Sequence, residues 1–165
     1  GALSPREAAE VLAPVADALD HVHARGVVHG DVRPETLRIE PGTRAKVTDF
    51  GIAHLETALS LATGRVPLRA YRAPEQVSRG VSGPGSDIYA LGAVAFELIT
   101  LRRPFQANSL HALLRSIVHD APAAPRSTKY VLSLEAQAAL LQAMAKDPGD
   151  RFPTARAFVE ALRES

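Results

Sequence analysis

The chain has 165 residues, 46% of them hydrophobic and 22% charged, with a formal net charge of +1. These are the proportions of a soluble globular domain, or part of one, long enough to bury a real core. A charge this close to balance gives no reason to expect a nucleic-acid partner, and with no cysteine there can be neither disulfides nor thiolate metal sites, as suits a reducing cytoplasm.

No signal peptide opens the sequence. The first element is a helix. Ser4 is placed to be its N-cap, Pro5 stands at N1, and Glu7 closes a capping box. Val11, Leu12, Val15, Ala18, Leu19 and Val22 then recur at helical spacing until Gly26 ends the run. Val27-Val28 is long enough only for a short strand. The segments 37–39 and 45–47 flank Pro41-Gly42, which predicts a small hairpin. From Ser86 onward the pattern is helical. Residues 88–100 are apolar nearly all round, which predicts a helix at the centre of the domain. The apolar run continues to Leu101, yet it contains Glu97 and falls short of the ~18–20 residues of a membrane span, so no membrane contact is expected from this segment. Further helices are expected over 109–118, from a Ser133 cap to about Met144, and over 154–163. A loop carrying Pro122 and Pro125 precedes the second of these. The expectation is about six helices around a buried central one, with a small hairpin.

Four motifs stand out against this background. His29-Gly30-Asp31-Val32-Arg33-Pro34-Glu35-Thr36 comes first, then Asp49-Phe50-Gly51, then Ala73-Pro74-Glu75, then Asp87-Ile88-Tyr89-Ala90-Leu91-Gly92. Each is weak alone; the four in this order are specific. Together they resemble the C-terminal lobe of a eukaryotic-type Ser/Thr protein kinase, bacterial by its composition. The resemblance covers nearly all of residues 1–165 and implies a mainly α fold. The N-terminal lobe that precedes this segment in the family has no counterpart here. Gly80, Gly83 and Gly85 have the wrong spacing for a phosphate loop, and Lys46, Lys129 and Lys146 all follow the first motif.

The resemblance implies ATP and magnesium as cofactors, with ATP held through the missing N-lobe, and a protein substrate or partner. Asp31 would orient the acceptor hydroxyl and take its proton, and Asp49 would hold magnesium, a hard cation suited to carboxylate oxygen. Arg33 stands where the family has a lysine that steadies the transferred phosphate. Thr36 stands where it has an asparagine that is a second magnesium ligand, and offers one hydroxyl on a shorter arm. His29, which could be taken for a base or a metal ligand, would pack beneath Phe50. His21 and His23, at i and i+2, do not share a helix face, so a metal site there is not expected. Glu75 and Arg151 would form an ion pair, and Asp87 would anchor the catalytic loop by its backbone amides.

Other positions depart from the pattern. Gly30 replaces the arginine that reads an activation-loop phosphate, and Pro67 and Leu68 replace a glycine and a threonine that bonds the catalytic aspartate. Two readings follow: an active kinase C-lobe, or a pseudokinase that binds nucleotide or protein without efficient transfer.

Overall fold

The structure, a computed structural model, describes residues 1–38, 46–48 and 70–165. Among these residues the fold is mainly α. Six α-helices run in the order α1 (Pro5–His23), α2 (Pro74–Arg79), α3 (Pro84–Thr100), α4 (Leu110–His119), α5 (Leu134–Ala143) and α6 (Ala155–Arg163). Single 3-10 turns cover Pro34–Thr36 and Pro148–Asp150. The only described strands, β1 (Leu37–Arg38) and β2 (Lys46–Val47), pair antiparallel with Leu37 opposite Val47. The turn expected at Pro41-Gly42 and the flanking Ile39 and Ala45 lie outside the described residues.

Helix α1 begins as its sequence dictates. Ser4 Oγ accepts the Glu7 N–H at 3.2 Å while the Glu7 carboxylate accepts the Ser4 N–H at 2.8 Å. Its buried stripe is Ala8, Leu12, Val15, Ala16 and Leu19. At the far end Gly26 takes φ +74°, and the Val27 N–H turns back to the Val22 carbonyl at 3.0 Å. That left-handed step is one a glycine makes without penalty. Val27-Val28, expected as a short strand, makes no ladder, because the chain leaves this cap directly into the loop that follows.

Helix α3 is the hub. Its residues from Ser86 to Phe96 are all buried, and they meet α1, α5 and α6. Gly92 lets α5 come close: a Cβ there would stand 2.8 Å from Ala143 Cβ and 3.3 Å from Met144 Cγ. The end of α3 is less ideal, since Leu101 takes φ +56° and is largely exposed. Helices α1 and α6 pack along each other. The Asp20 carboxylate of α1 also accepts the Ala155 and Arg156 N–H groups at 2.8 and 2.9 Å, so one helix supplies an anionic cap to the other. No described helix is long and apolar enough to cross a membrane.

Candidate active site

The site is built on the loop between α1 and β1, which hangs from the buried Asp87 in the first turn of α3. Asp87 is 1% exposed. Its Oδ2 accepts the His29 N–H at 2.9 Å and the His23 Nε2 at 2.7 Å, and its Oδ1 accepts the Gly30 N–H at 2.7 Å. A carboxylate removed from water is tolerable only when its lone pairs are filled, and three donors fill them here. The anchoring role expected of Asp87 is what the geometry shows. His23 is one of the three donors.

His29 is 1% exposed. Its Nδ1 accepts the Asp31 N–H at 3.1 Å, which leaves Nε2 to donate to the Thr48 carbonyl at 2.9 Å. Both ring nitrogens therefore serve the backbone. The ring is a structural crosspiece between two loops. Phe50, expected above it, lies outside the described residues.

Asp31 and Arg33 come together on this loop. Arg33 Nε stands 2.8 Å from Asp31 Oδ2, with the side chains 21% and 11% exposed. Val32 between them is buried in the core. Thr36 is different. It is 1% exposed, its Oγ1 accepts the Arg33 N–H at 3.1 Å, and its single proton lies between the Arg33 and Asp31 carbonyls at 3.0 and 3.2 Å. The Thr36 carbonyl accepts the Thr48 N–H at 2.9 Å. Asp49 lies outside the described residues, as do Pro67 and Leu68. Thr48, just before Asp49, is bonded at both its amide and its carbonyl to the Asp31 loop. Among the described residues no group of three or more His, Asp or Glu could hold a metal ion.

The segment that re-enters at Ala70 is tied to the same scaffold. The Tyr71 hydroxyl donates to Glu97 of α3, and the Arg103 guanidinium lies 5.8 Å from the Tyr71 ring centroid. Burial and the Glu97 carboxylate both push the Tyr71 phenol well above its ordinary range, so it stays protonated as the donor. Glu75 and Arg151 pair bidentately at 2.8 Å for both bonds, as expected. Burial alone would raise the Glu75 carboxyl. The bonds from Arg151 and from Ser86 Oγ outweigh it and hold the group below the usual carboxylate range.

Sequence reasoning passed over Gln76. Its Nε2 donates to the Gly30 carbonyl at 2.8 Å and to Ser82 Oγ at 3.0 Å, and its Oε1 accepts the Ala73 N–H at 2.9 Å. The only available signal was its place directly after Ala73-Pro74-Glu75, at the start of a six-residue helix that was also missed. Pro74 at N1 and Gly80 at φ +67° mark the ends of that helix.

Residues 1–162 match the family model of the protein kinase domain. A probable serine/threonine-protein kinase of Corynebacterium efficiens is 36% identical over 165 residues, covering 94% of this chain and 25% of the relative. Serine/threonine-protein kinase PrkC of Bacillus subtilis is 38% identical over 164 residues, covering 94% and 24%. Serine/threonine-protein kinase Pkn1 of Myxococcus xanthus is 40% identical over 161 residues, covering 93% and 23%. The chain thus spans about a quarter of the length of these relatives.

Proposed function

Because the chain belongs to the protein kinase domain family, we propose that residues 1–165 form the C-terminal lobe of a Ser/Thr protein kinase. Its complete parent protein transfers phosphoryl groups from Mg·ATP to serine or threonine of a protein substrate. The observation that carries the reading is the Asp31 carboxylate, paired with Arg33 on a loop whose backbone is bonded to the buried Asp87. Phosphoryl transfer asks a protein mainly for positioning and charge, and an anchored carboxylate beside a guanidinium supplies both.

In this reading Asp31 orients the acceptor hydroxyl and receives its proton. Arg33, 2.8 Å away, brings a fixed positive charge to where negative charge gathers on the transferred group. Magnesium would supply positive charge against the nucleotide phosphates. Asp49 is the residue assigned to hold it, and the N-lobe of the parent holds ATP from the other side. Thr36 does not fit as a second ligand, because its hydroxyl is buried and engaged with three backbone groups. It fits a brace that shapes the turn from Asp31 to Leu37.

The test is Mg·ATP-dependent transfer by the complete parent protein, with Asp31→Asn as control. Transfer that disappears in the control supports the reading. A folded parent protein that transfers nothing overturns it, and leaves a pseudokinase that acts by binding.

A further inference from the structure

Building on that kinase reading, we propose that Gln76 is a positioning residue for Asp31, acting through the carbonyl of Gly30. Gly30 itself sits at φ +79°. A glycine adopts this conformation without penalty, but it adopts many others as easily. Its own sterics therefore do not hold the loop; its hydrogen bonds must. Two bonds do so from opposite sides. The Gly30 N–H donates 2.7 Å to Asp87 Oδ1 of α3, and the Gly30 carbonyl accepts at 2.8 Å from Gln76 Nε2 of α2.

The second bond matters most for the chemistry. The Gly30 carbonyl and the Asp31 N–H belong to one planar peptide unit. Fixing the carbonyl fixes the amide that donates to His29 Nδ1 at 3.1 Å, and with it the direction in which Asp31 leaves the loop.

Only a glutamine meets the demands of this position. Its Oε1 accepts the Ala73 N–H, and its two Nε2 protons go to Gly30 and Ser82. The residue is 8% exposed, so water is a poor substitute. Glutamate lacks the donors, methionine and leucine lack both functions, and asparagine is one methylene too short. Gln76 stands two residues after Pro74, so the clamp also couples the start of α2 to the catalytic loop.

The experiment uses the complete parent protein carrying Gln76→Leu or Gln76→Glu. Two readouts are taken: steady-state transfer from Mg·ATP, and amide hydrogen exchange of residues 29–33. Gln76→Leu is expected to lower kcat about 10–100-fold while the KM values for ATP and acceptor stay within about twofold, a displaced catalytic group being a transition-state loss. The loop amides should exchange roughly tenfold faster, with those of α3 unchanged. Gln76→Glu should be as slow at pH 8. It should recover relative to the wild type as the pH falls, because a protonated carboxyl regains one donor for Gly30. A role in stability alone would lower the folded fraction but leave kcat per folded molecule and the loop exchange unchanged.

Wild-type kcat and wild-type loop exchange in Gln76→Leu overturn the proposal, as does a Gln76→Glu variant that shows no relative recovery. If the parent protein transfers no phosphate at all, the kinase reading fails separately. The exchange rates still decide the clamp: unchanged rates refute it, faster rates in the loop alone support it.

Discussion

The ion pair between Glu75 and Arg151 is the contact whose loss should cost the fold most. The Arg151 side chain is fully buried and that of Glu75 nearly so. All five guanidinium protons are used. Two go to the Glu75 oxygens at 2.8 Å, and the others to the carbonyls of Ala145 (2.8 Å), Gly85 (2.8 Å) and Lys146 (3.1 Å). Arg151→Ala removes every one of these and leaves Glu75 as a buried carboxylate with Ser86 Oγ, at 2.7 Å, as its remaining side-chain donor. Breaking one partner of such a pair costs about 3–5 kcal/mol. For a domain of this size each kcal/mol moves Tm by about 2–4 °C, so a fall of roughly 6–20 °C is expected in a thermal melt. Glu75→Met with Arg151→Met should lose much less than the two single variants summed, because no charge is left stranded. The pH dependence follows from the same bonds. The carboxyl of Glu75 is held below its unfolded value, so its contribution is complete above an unfolded pKa of about 4.3 and fades as the pH drops through the folded value. Acid unfolding of the wild type should therefore steepen below that point, and the double variant should lose this component. A single variant that costs less than about 1 kcal/mol, the figure for an exposed pair, would show that the pair is solvated and the reasoning wrong.

Three further substitutions probe separate features. Gly92→Ala puts a Cβ 2.8 Å from Ala143 Cβ between two helices of the core, and should destabilise by about 1–3 kcal/mol in urea unfolding; a neutral result means that α5 shifts freely against α3. Leu101→Gly relieves the non-glycine φ of +56° at the end of α3, where the side chain is largely exposed. It should raise stability by up to about 1 kcal/mol, and a loss would show that the leucine packs usefully. Thr36→Val keeps the shape but leaves the Arg33 N–H without its acceptor, at a cost of about 1–3 kcal/mol. In the parent protein it should lower transfer without changing the magnesium concentration needed for half-maximal rate. A shift in that concentration would restore Thr36 as a ligand.

Much of this architecture is legible in the sequence, and the reasons are local. The cap at Ser4 and Glu7, the stop at Gly26 and the apolar run of α3 are written in residues close to one another in the chain, and the observed helices follow them. The helices at 110–119, 134–143 and 155–163 differ from expectation only by a residue or so at their ends. The short helix α2 was missed because six residues give too little periodicity to detect. The strand expected at Val27-Val28 failed because the helix cap, not β-propensity, sets that backbone. Within the site, Glu75, Arg151 and Asp87 were identifiable through the family resemblance. The bonds of His23, Thr36 and Gln76 were not. They depend on which backbone carbonyl or carboxylate lies within hydrogen-bonding distance after folding, across separations of up to 64 positions.

These hidden bonds also bear on how the site is held. Where the resemblance implies an arginine that reads a phosphate, the chain has Gly30, which carries no side chain to be recruited. The positions around it are instead fixed by Asp87, Gln76, His29 and Thr36, all within the described scaffold and none dependent on an added charge. Three of those four are neutral hydrogen-bonding groups in buried positions, whose bonds are little screened by salt. A loop held in this way is set by folding itself. Raising the ionic strength of a transfer assay should therefore weaken nucleotide and acceptor binding while leaving kcat nearly constant, whereas a loop held by exposed charge pairs would lose kcat as salt is added.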